Sequence, residues 1–490
     1  MDLQFQKVPI SYMRTVSNEI QTQEQTQEVR LPDGMPDVGH VIASWAQVLV
    51  RGKEWRGGSA GISGGVMVWV LYAPEDGSAP QCVDVWLPFQ MKVDVDATQQ
   101  DGTICAMPLL QNVDARSVSA RKLMVRSGVS MLMCVQTRDK AETCIPDDLP
   151  EDVCVLQNMY PMLLAKEFGE KAFVIEENLE LPGNIPMPGK LVYYKLHPVI
   201  TEQKIMTDKL IFRGMAKLHL LYMDAQGELH NWSGEVPFSQ YSDLSRDYVD
   251  TAVAVLQPVV TSLEVEYADG RLLLKAGILA QYTVYDREEV TVVEDAYSPR
   301  RKIAPHTEYL RLPAILDTMS ETVYVQQLAE NPLVDAMFCP DMPRLYRDDD
   351  GIRADLSGTF YALDRTDEGQ LQGTTKTWEE SKLLQADPNV VTEVVMGYAD
   401  VSVSGNKMES ELPMTVRYLA DHEMPVITGM ELGELRESDP ERPSLILCRR
   451  GEQSLWDIAK HTGSTVEIIQ KANGLTQEPE PDKMLLIPIV

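Results

Sequence analysis

The chain has 490 residues, 44% of them hydrophobic, with 44 Lys plus Arg against 74 Asp plus Glu, for a net charge of −30. So acidic a chain repels phosphate backbones and anionic lipid surfaces, which argues against nucleic-acid and peripheral membrane binding. No apolar run reaches the length that membrane insertion needs, and length alone predicts about three or four domains.

In chain order, residues 1–27 form a polar arm rich in Gln, Glu and Thr, especially Gln21 to Gln27, which reads as a leading helix or a loose extension. Lys7, Arg14 and Glu19 break any apolar middle of a signal peptide, so the chain is expected in the cytosol. A β-rich domain over 28–149 opens at Leu31-Pro32. Its glycine-rich stretch, Gly57 to Gly65, lacks the Gly-Lys-Ser/Thr ending of a phosphate cradle and precedes a strand, so it reads as a flexible hairpin loop. Val66, Val68, Val70 and Tyr72 then alternate, turn through Pro74-Glu75-Asp76-Gly77 and return along Val83, Val85 and Phe89, as a half-buried hairpin requires. Over 150–174, Val155, Met159, Met162 and Leu163 have helix-like spacing interrupted by Pro161, which predicts a helical connector.

The span 175–297 repeats the first domain. Leu181-Pro182 and Tyr222 follow Leu31-Pro32 and Tyr72 by 150 residues, and Phe238 and Gly277 follow Phe89 and Gly128 by 149. Its hairpin runs Leu218, Leu220, Tyr222, turns through Asp224-Ala225-Gln226-Gly227, and returns by Trp232 to Phe238. A divergent third copy over 298–432 starts from Leu312-Pro313, reaches Phe360-Tyr361, turns near Gly369 and returns at Trp378. Asp348-Asp349-Asp350-Gly351 is the expected insertion point. The period far exceeds the roughly 20 to 50 residues of a solenoid unit, so it signals tandem domains. The basic run Tyr297-Ser298-Pro299-Arg300-Arg301-Lys302 reads as a solvated interdomain link, and the polar stretch 433–443 as a linker to a last module.

That module, 444–490, has a β-α-α-β pattern. Leu445-Ile446-Leu447 is a strand and Gly451 a turn. Ser454 with Asp457 has capping-box spacing before a helix whose Leu455, Ile458 and Ala459 share a face. Ser464 with Glu467 reads as a second box, before a helix that turns Val466, Ile469 and Ala472 inward and stops at Asn473-Gly474. Leu485-Leu486-Ile487 closes the unit. Gly451, Ser454-Leu455, Ile458-Ala459, Asn473 and Leu486-Ile487-Pro488 together resemble the LysM domain. The resemblance implies N-acetylglucosamine-glycan binding through two loops, with Gly451, Glu452, Gln453, Ser454, Asn473, Leu475 and Asp482 as candidate ligand-binding residues. Glu452 stands where the family usually has Asp, and Asp482 where it usually has Gly. Five basic against six acidic residues give this module a net charge of −1, so the acid excess lies in the repeats.

A cytosolic chain that ends in a wall-type module fits spore formation, where mother-cell cytosol faces the developing spore. In the second copy, Leu181-Pro182, Leu210-Ile211-Phe212-Arg213-Gly214, Leu220-Leu221-Tyr222, Pro237-Phe238-Ser239 and Gly277 resemble the SPOCS domain of spore-coat and spore-envelope proteins. Such repeats with a LysM tail are similar to the SipL class of coat morphogenetic proteins. The fold class expected is mainly β and multidomain, three tandem SPOCS-like domains followed by the small α+β LysM domain. The resemblance implies a non-enzymatic scaffold at the forespore surface or in the spore coat, whose tail docks on a coat partner of the coat-basement ATPase type. The alternative is a tether to peptidoglycan in cortex or wall, and a remote third reading is a wall hydrolase. Oligomerisation stays open.

Nothing predicts a catalytic centre, cofactor or metal. The seven histidines, His40, His197, His219, His230, His306, His422 and His461, are scattered, and neither His-Glu-x-x-His nor Gly-x-Ser-x-Gly occurs. His219 alternates with core positions and is expected to face solvent, and His230 reads as strand decoration. The seven cysteines, an odd number without a Cys-x-x-Cys pair, are expected to be buried, reduced thiols.

Overall fold

A computed structural model describes residues 2–56, 58–95, 102–385, 387, 390–436 and 443–490. The first copy runs β1 (Asp2–Arg30), β2 (Val38–Arg56), β3 (Ser59–Pro74), β4 (Gln81–Asp94), β5 (Thr103–Ser119) and β6 (Lys122–Pro146). β2, β3 and β4 form a meander, and β6 lies between β5 and β1. The second runs β7 (Cys154–Leu179), β8 (Lys190–Met206), β9 (Lys209–Met223), β10 (Leu229–Asp243), β11 (Val253–Ala268) and β12 (Arg271–Tyr297), with the same pairing: a β8-β9-β10 meander, and β12 between β11 and β7. The third has β13 (Arg301–Leu328), β14 (Leu333–Pro340), β15 (Arg344–Asp348), β16 (Gly351–Arg365), β17 (Leu371–Gln385), β18 (Val391–Met396), β19 (Asp400–Ser404) and β20 (Lys407–Leu435). Here β14 and β15 together replace one strand along β16, and β18 and β19 replace one along β20. The acidic turn at Asp348–Gly351 is the β15–β16 hairpin.

The opening and closing strands of each copy are long for a reason visible in the packing. One part of each lies beside its own meander, around Val66, Val68 and Tyr72 in the first copy, Phe212, Leu218 and Leu220 in the second, and Phe360, Leu412 and Val416 in the third. The other end contributes to a cluster shared by all three copies. Ile10 and Tyr12 from β1, Leu164 from β7, Val292 from β12, Leu312 from β13 and Val426 from β20 meet there. Fully burying each such aliphatic side chain contributes about 1.5–3 kcal/mol, so the shared cluster is a core in its own right.

That cluster corrects several sequence readings. Residues 2–27 are not a helix or loose arm: Phe5 to Arg30 pair with β6, and the polar run Gln21 to Gln27 lies opposite Met131 to Val125. The ladder, rather than apolar content, makes this segment a strand. Nor is 150–174 a helical connector, because β7 pairs along β12. Its burial has period two, with Met162 and Leu164 at 2% and 0% exposure and Met159 at 65%. The Leu-Pro landmarks follow the first strand of their copy and do not open it. In the third copy that place belongs to Ala329, whose amide bonds to Asn406 as Leu31 bonds to Arg121, while Leu312-Pro313 lies inside β13. The link 297–302 is solvated only at Arg300 and Lys302, since Tyr297, Ser298 and Pro299 are buried and Arg301 pairs with Asp152 at 2.5 Å.

The glycine-rich stretch likewise belongs to β3 from Ser59 onward. A Cβ on Gly64 would stand 2.1 Å from the Leu49 carbonyl oxygen and 2.8 Å from the Phe89 ring. Gly214 has the same relation to Val199 and Phe238, at 2.2 and 2.4 Å, and Gly358 to Cys339 and Phe338, at 2.8 and 2.4 Å. All three copies therefore lay an aromatic ring over a bare glycine backbone. Close approach, not flexibility, accounts for the residue.

Candidate functional site: the C-terminal loops and the surface that holds them

Residues 444–490 form β21 (Leu445–Arg449), α1 (Leu455–Thr462), α2 (Val466–Asn473) and β22 (Met484–Pro488), with β21 antiparallel to β22. Leu455, Ile458 and Ala459 of α1 are buried, as their spacing predicts. Ser454 caps α1: its hydroxyl accepts from the Asp457 amide at 3.1 Å and the Asp457 carboxylate accepts from the Ser454 amide at 3.2 Å. The Ser454 hydroxyl, which donates to the Asp457 carboxylate at 2.6 Å, and then the Ser454 amide hold that carboxyl below its ordinary pKa. The second cap is one residue later than predicted. Thr465 accepts from the Ile468 amide, while Ser464 is buried and donates to the Pro488 carbonyl at 2.5 Å. Ala472 is exposed, because Ile469 alone of α2 is fully buried.

Antiparallel pairing brings the loop after β21 and the loop before β22 to one end of the module. The Arg450 amide donates to Lys483 at 2.9 Å and the Asp482 amide to Arg450 at 2.8 Å. Arg450 pairs with Glu478 at 3.0 Å and donates to the Gln453 carbonyl at 3.0 Å. Glu478 also accepts from the Leu455 amide at 2.9 Å, so a carboxylate from the second loop sits on the start of α1. Asp482, in a left-handed conformation with φ of 69°, pairs with Arg449 at 3.1 Å.

The candidate residues are thus divided. Gly451, Glu452 and Gln453 are exposed at the rim, with Asp482 opposite them. Ser454 uses its hydroxyl as a cap. Asn473 is structural: its amide donates to Ile469 and Leu486 and accepts from the Leu486 amide, tying α2 to β22. Leu475 packs on the module's core. Arg450 and Glu478, which clasp the two loops together, escaped the sequence reading, although their opposite charges in facing loops were a signal.

Of the stretch 433–443, residues 433–435 belong to β20 rather than to a linker and 437–442 lie outside the described residues; side-chain contacts also hold the module. Asp295 near the end of β12 accepts from the Trp456 indole at 2.8 Å and from Lys460 at 2.7 Å. Tyr297 donates to the Ser464 carbonyl at 3.0 Å and meets the Trp456 ring edge-on, with centroids 4.7 Å apart. Tyr297 and Cys154 join the module's hydrophobic cluster. One face of α1 is therefore seated on the second copy, with the loops 451–453 and 476–478 left exposed.

Polar residues elsewhere fasten the copies to one another. Trp45 stacks on Tyr193 at 5.4 Å, and Gln47 both donates to and accepts from the Leu196 backbone, at 2.8 and 2.9 Å. His219 is buried, not solvent-facing, because the third copy supplies a partner: its ring nitrogens meet Asp335 and Ser233, each at 2.9 Å. Lys217 pairs with Asp400 at 2.8 Å, and His197 stacks on Tyr398. Burial first, then the charge of Lys195, pushes the His197 pKa down to about 3, so that ring is neutral at neutral pH. His230 is also more than decoration, since it clamps the β9–β10 turn through Asp224 at 2.9 Å. Among the described residues no group of three or more His, Cys, Asp or Glu is placed to hold a metal ion, and no helix is long and apolar enough to cross a membrane.

Residues 189–267 match the family described as SipL, SPOCS domain. The match spans β8 to β11, including the glycine-under-phenylalanine contact at Gly214, and ties the chain to sporulation. No curated protein and no solved structure matches the chain.

Proposed function

We propose that this chain is a non-enzymatic assembly protein of the bacterial spore envelope. In this reading it works at the forespore surface, and its C-terminal LysM-like module presents the loops 451–454 and 475–482 to a partner protein of the coat. The observation that carries the reading is the SPOCS match over 189–267 in a copy that also seats the module through Asp295 and Tyr297. Three copies joined by a shared core, with a docked, loop-exposing tail, suit multivalent attachment, in which linkage raises avidity without new contacts.

The exposed Gly451, Glu452 and Gln453 also suit the second reading, a tether to N-acetylglucosamine glycan. Co-sedimentation of the full chain with purified peptidoglycan, beside a Glu452→Ala, Gln453→Ala double variant, separates the two. Saturable binding lost in the variant favours the glycan tether. Absence of binding, with partner capture from sporulating-cell lysate lost in the same variant, favours protein docking. A deletion strain that attaches its coat normally contradicts the scaffold, and a lysis band on a peptidoglycan gel contradicts the absence of enzymatic activity.

A further inference from the structure

Cys105 on β5 and Cys134 on β6 are register partners in an antiparallel ladder. Residues directly opposed in such a ladder point to the same face, with Cα atoms about 4.5 or 5.5 Å apart. Either spacing lies within the range of about 4.4–6.8 Å that a disulfide spans. Among the described residues no other cysteine faces a cysteine across a ladder: Cys82 lies opposite Leu71, Cys144 opposite Lys7, Cys154 opposite Tyr297, Cys339 opposite Thr359 and Cys448 opposite Leu485.

The two thiols also share surroundings. Both line a cavity of about 220 Å³, where Gln257 from the second copy and Arg417 and Leu345 from the third close over them. Cys105 donates to the Gln257 side-chain oxygen at 2.7 Å, so one thiol of the pair is itself a contact between copies. We propose that Cys105 and Cys134 form an oxidative modification site, a cross-strand dithiol that a small disulfide converts to an intramolecular disulfide.

The exchange balances without further reagents. One protein thiolate attacks a sulfur of the small disulfide, expelling one small thiolate and leaving a mixed disulfide. The second protein thiolate attacks the protein sulfur of that intermediate and expels the other. The protein loses two electrons, the small disulfide gains them, and the two thiol protons end on the released small thiols. Burial pushes both thiols up, Cys105 to about 11 and Cys134 to about 12, with Lys53 and then Arg417 restraining the rise at Cys105. The reaction is therefore slow at neutral pH and faster in mild alkali. Oxidation removes the S–H that Gln257 accepts, so the redox state of one hairpin is felt at the junction of the copies.

The test is a thiol count on the full chain after long exposure to cystamine at mildly alkaline pH, in buffer and in urea below the unfolding midpoint, followed by quenching and denaturation. Of the seven cysteines, Cys105 and Cys134 should both cease to be free thiols without gaining cysteamine, whatever mixed disulfides form at the more accessible ones. Non-reducing digestion with trypsin should yield one cross-link, between peptides 93–116 and 127–138. Cys105→Ser and Cys134→Ser should each give no cross-link, the remaining thiol of the pair stopping at the mixed disulfide with cysteamine, and oxidation should raise the melting temperature of the parent chain alone. Cys105 and Cys134 persisting as free thiols or stopping at mixed disulfides in both conditions, or a cross-link between any other pair, overturns the proposal. Because the parent chain carries the primary result, failure of a variant to fold does not protect it.

Discussion

Replacing Asp295 by Ala should release the C-terminal module from the second copy while leaving both folded. The carboxylate accepts from the Trp456 indole at 2.8 Å and from Lys460 at 2.7 Å. A hydrogen bond to a charged group contributes about 1.5–3 kcal/mol. The lysine pair is half exposed, 45% at Lys460 against 28% at Asp295, so screening reduces it to about 0.5 kcal/mol. Together the loss comes to about 2 kcal/mol, or about a 30-fold rise in the undocked population. Cys154 packs on the hydrophobic cluster formed at this seat, and its alkylation rate reports the opening when reclosure is fast. Peptide-level mass spectrometry should find Cys154 modified about 30-fold faster in Asp295→Ala and only about twofold faster in Lys460→Met, with Cys105 unchanged in both. A rise below twofold in Asp295→Ala, or an equal rise at Cys105, would refute the docking argument.

Gly214→Ala should destabilise the second copy by about 3 kcal/mol in urea unfolding, since hydrogen-bonded strands cannot readily yield to a new methyl group. Gly183→Ala, with nothing within 4 Å of the added carbon, serves as its neutral control. Gln47→Ala strips both partners from the buried Leu196 backbone and should cost about 3 kcal/mol, read as a lower urea midpoint. Acid should loosen the seam between β7 and β13. The hydrogen bond from Arg301 holds the Asp152 carboxyl below its ordinary value of 3.8; burial opposes this and Ser298 assists. A depressed folded pKa contributes stability that is present above that ordinary value and is lost as pH falls through the folded one. Asp152→Asn should therefore flatten the acid limb of the melting curve and leave its shape at neutral pH unaltered.

The meanders were legible because local patterns dictate them. Alternation at Val66, Val68, Val70 and at Leu218, Leu220, the turns at Gly77, Gly227 and Gly369, and the aromatic returns at Phe89, Phe238 and Trp378 all specify hairpins from neighbouring residues. The first C-terminal helix was legible through Ser454 and Asp457 for the same reason. The long opening strands were not. Gln21 to Gln27 has no apolar alternation to read, and Met159 with Met162 mimics a helical period, because both segments are strands through a partner far away along the chain. His219 and Tyr297 were misread for a related reason, since the groups that bury them come from another copy and from the C-terminal module.

By itself, then, the sequence determined the repeat, its hairpins and the β-α-α-β tail, all of which rest on contacts between residues close along the chain or on spacing that recurs from copy to copy. Only the tertiary structure decided that three copies share a core through their strand ends, that Cys105 faces Cys134, and that Asp295 seats the tail. Those outcomes depend on register and packing between distant segments, where burial and partner choice are settled by the assembled fold and leave no local period to read.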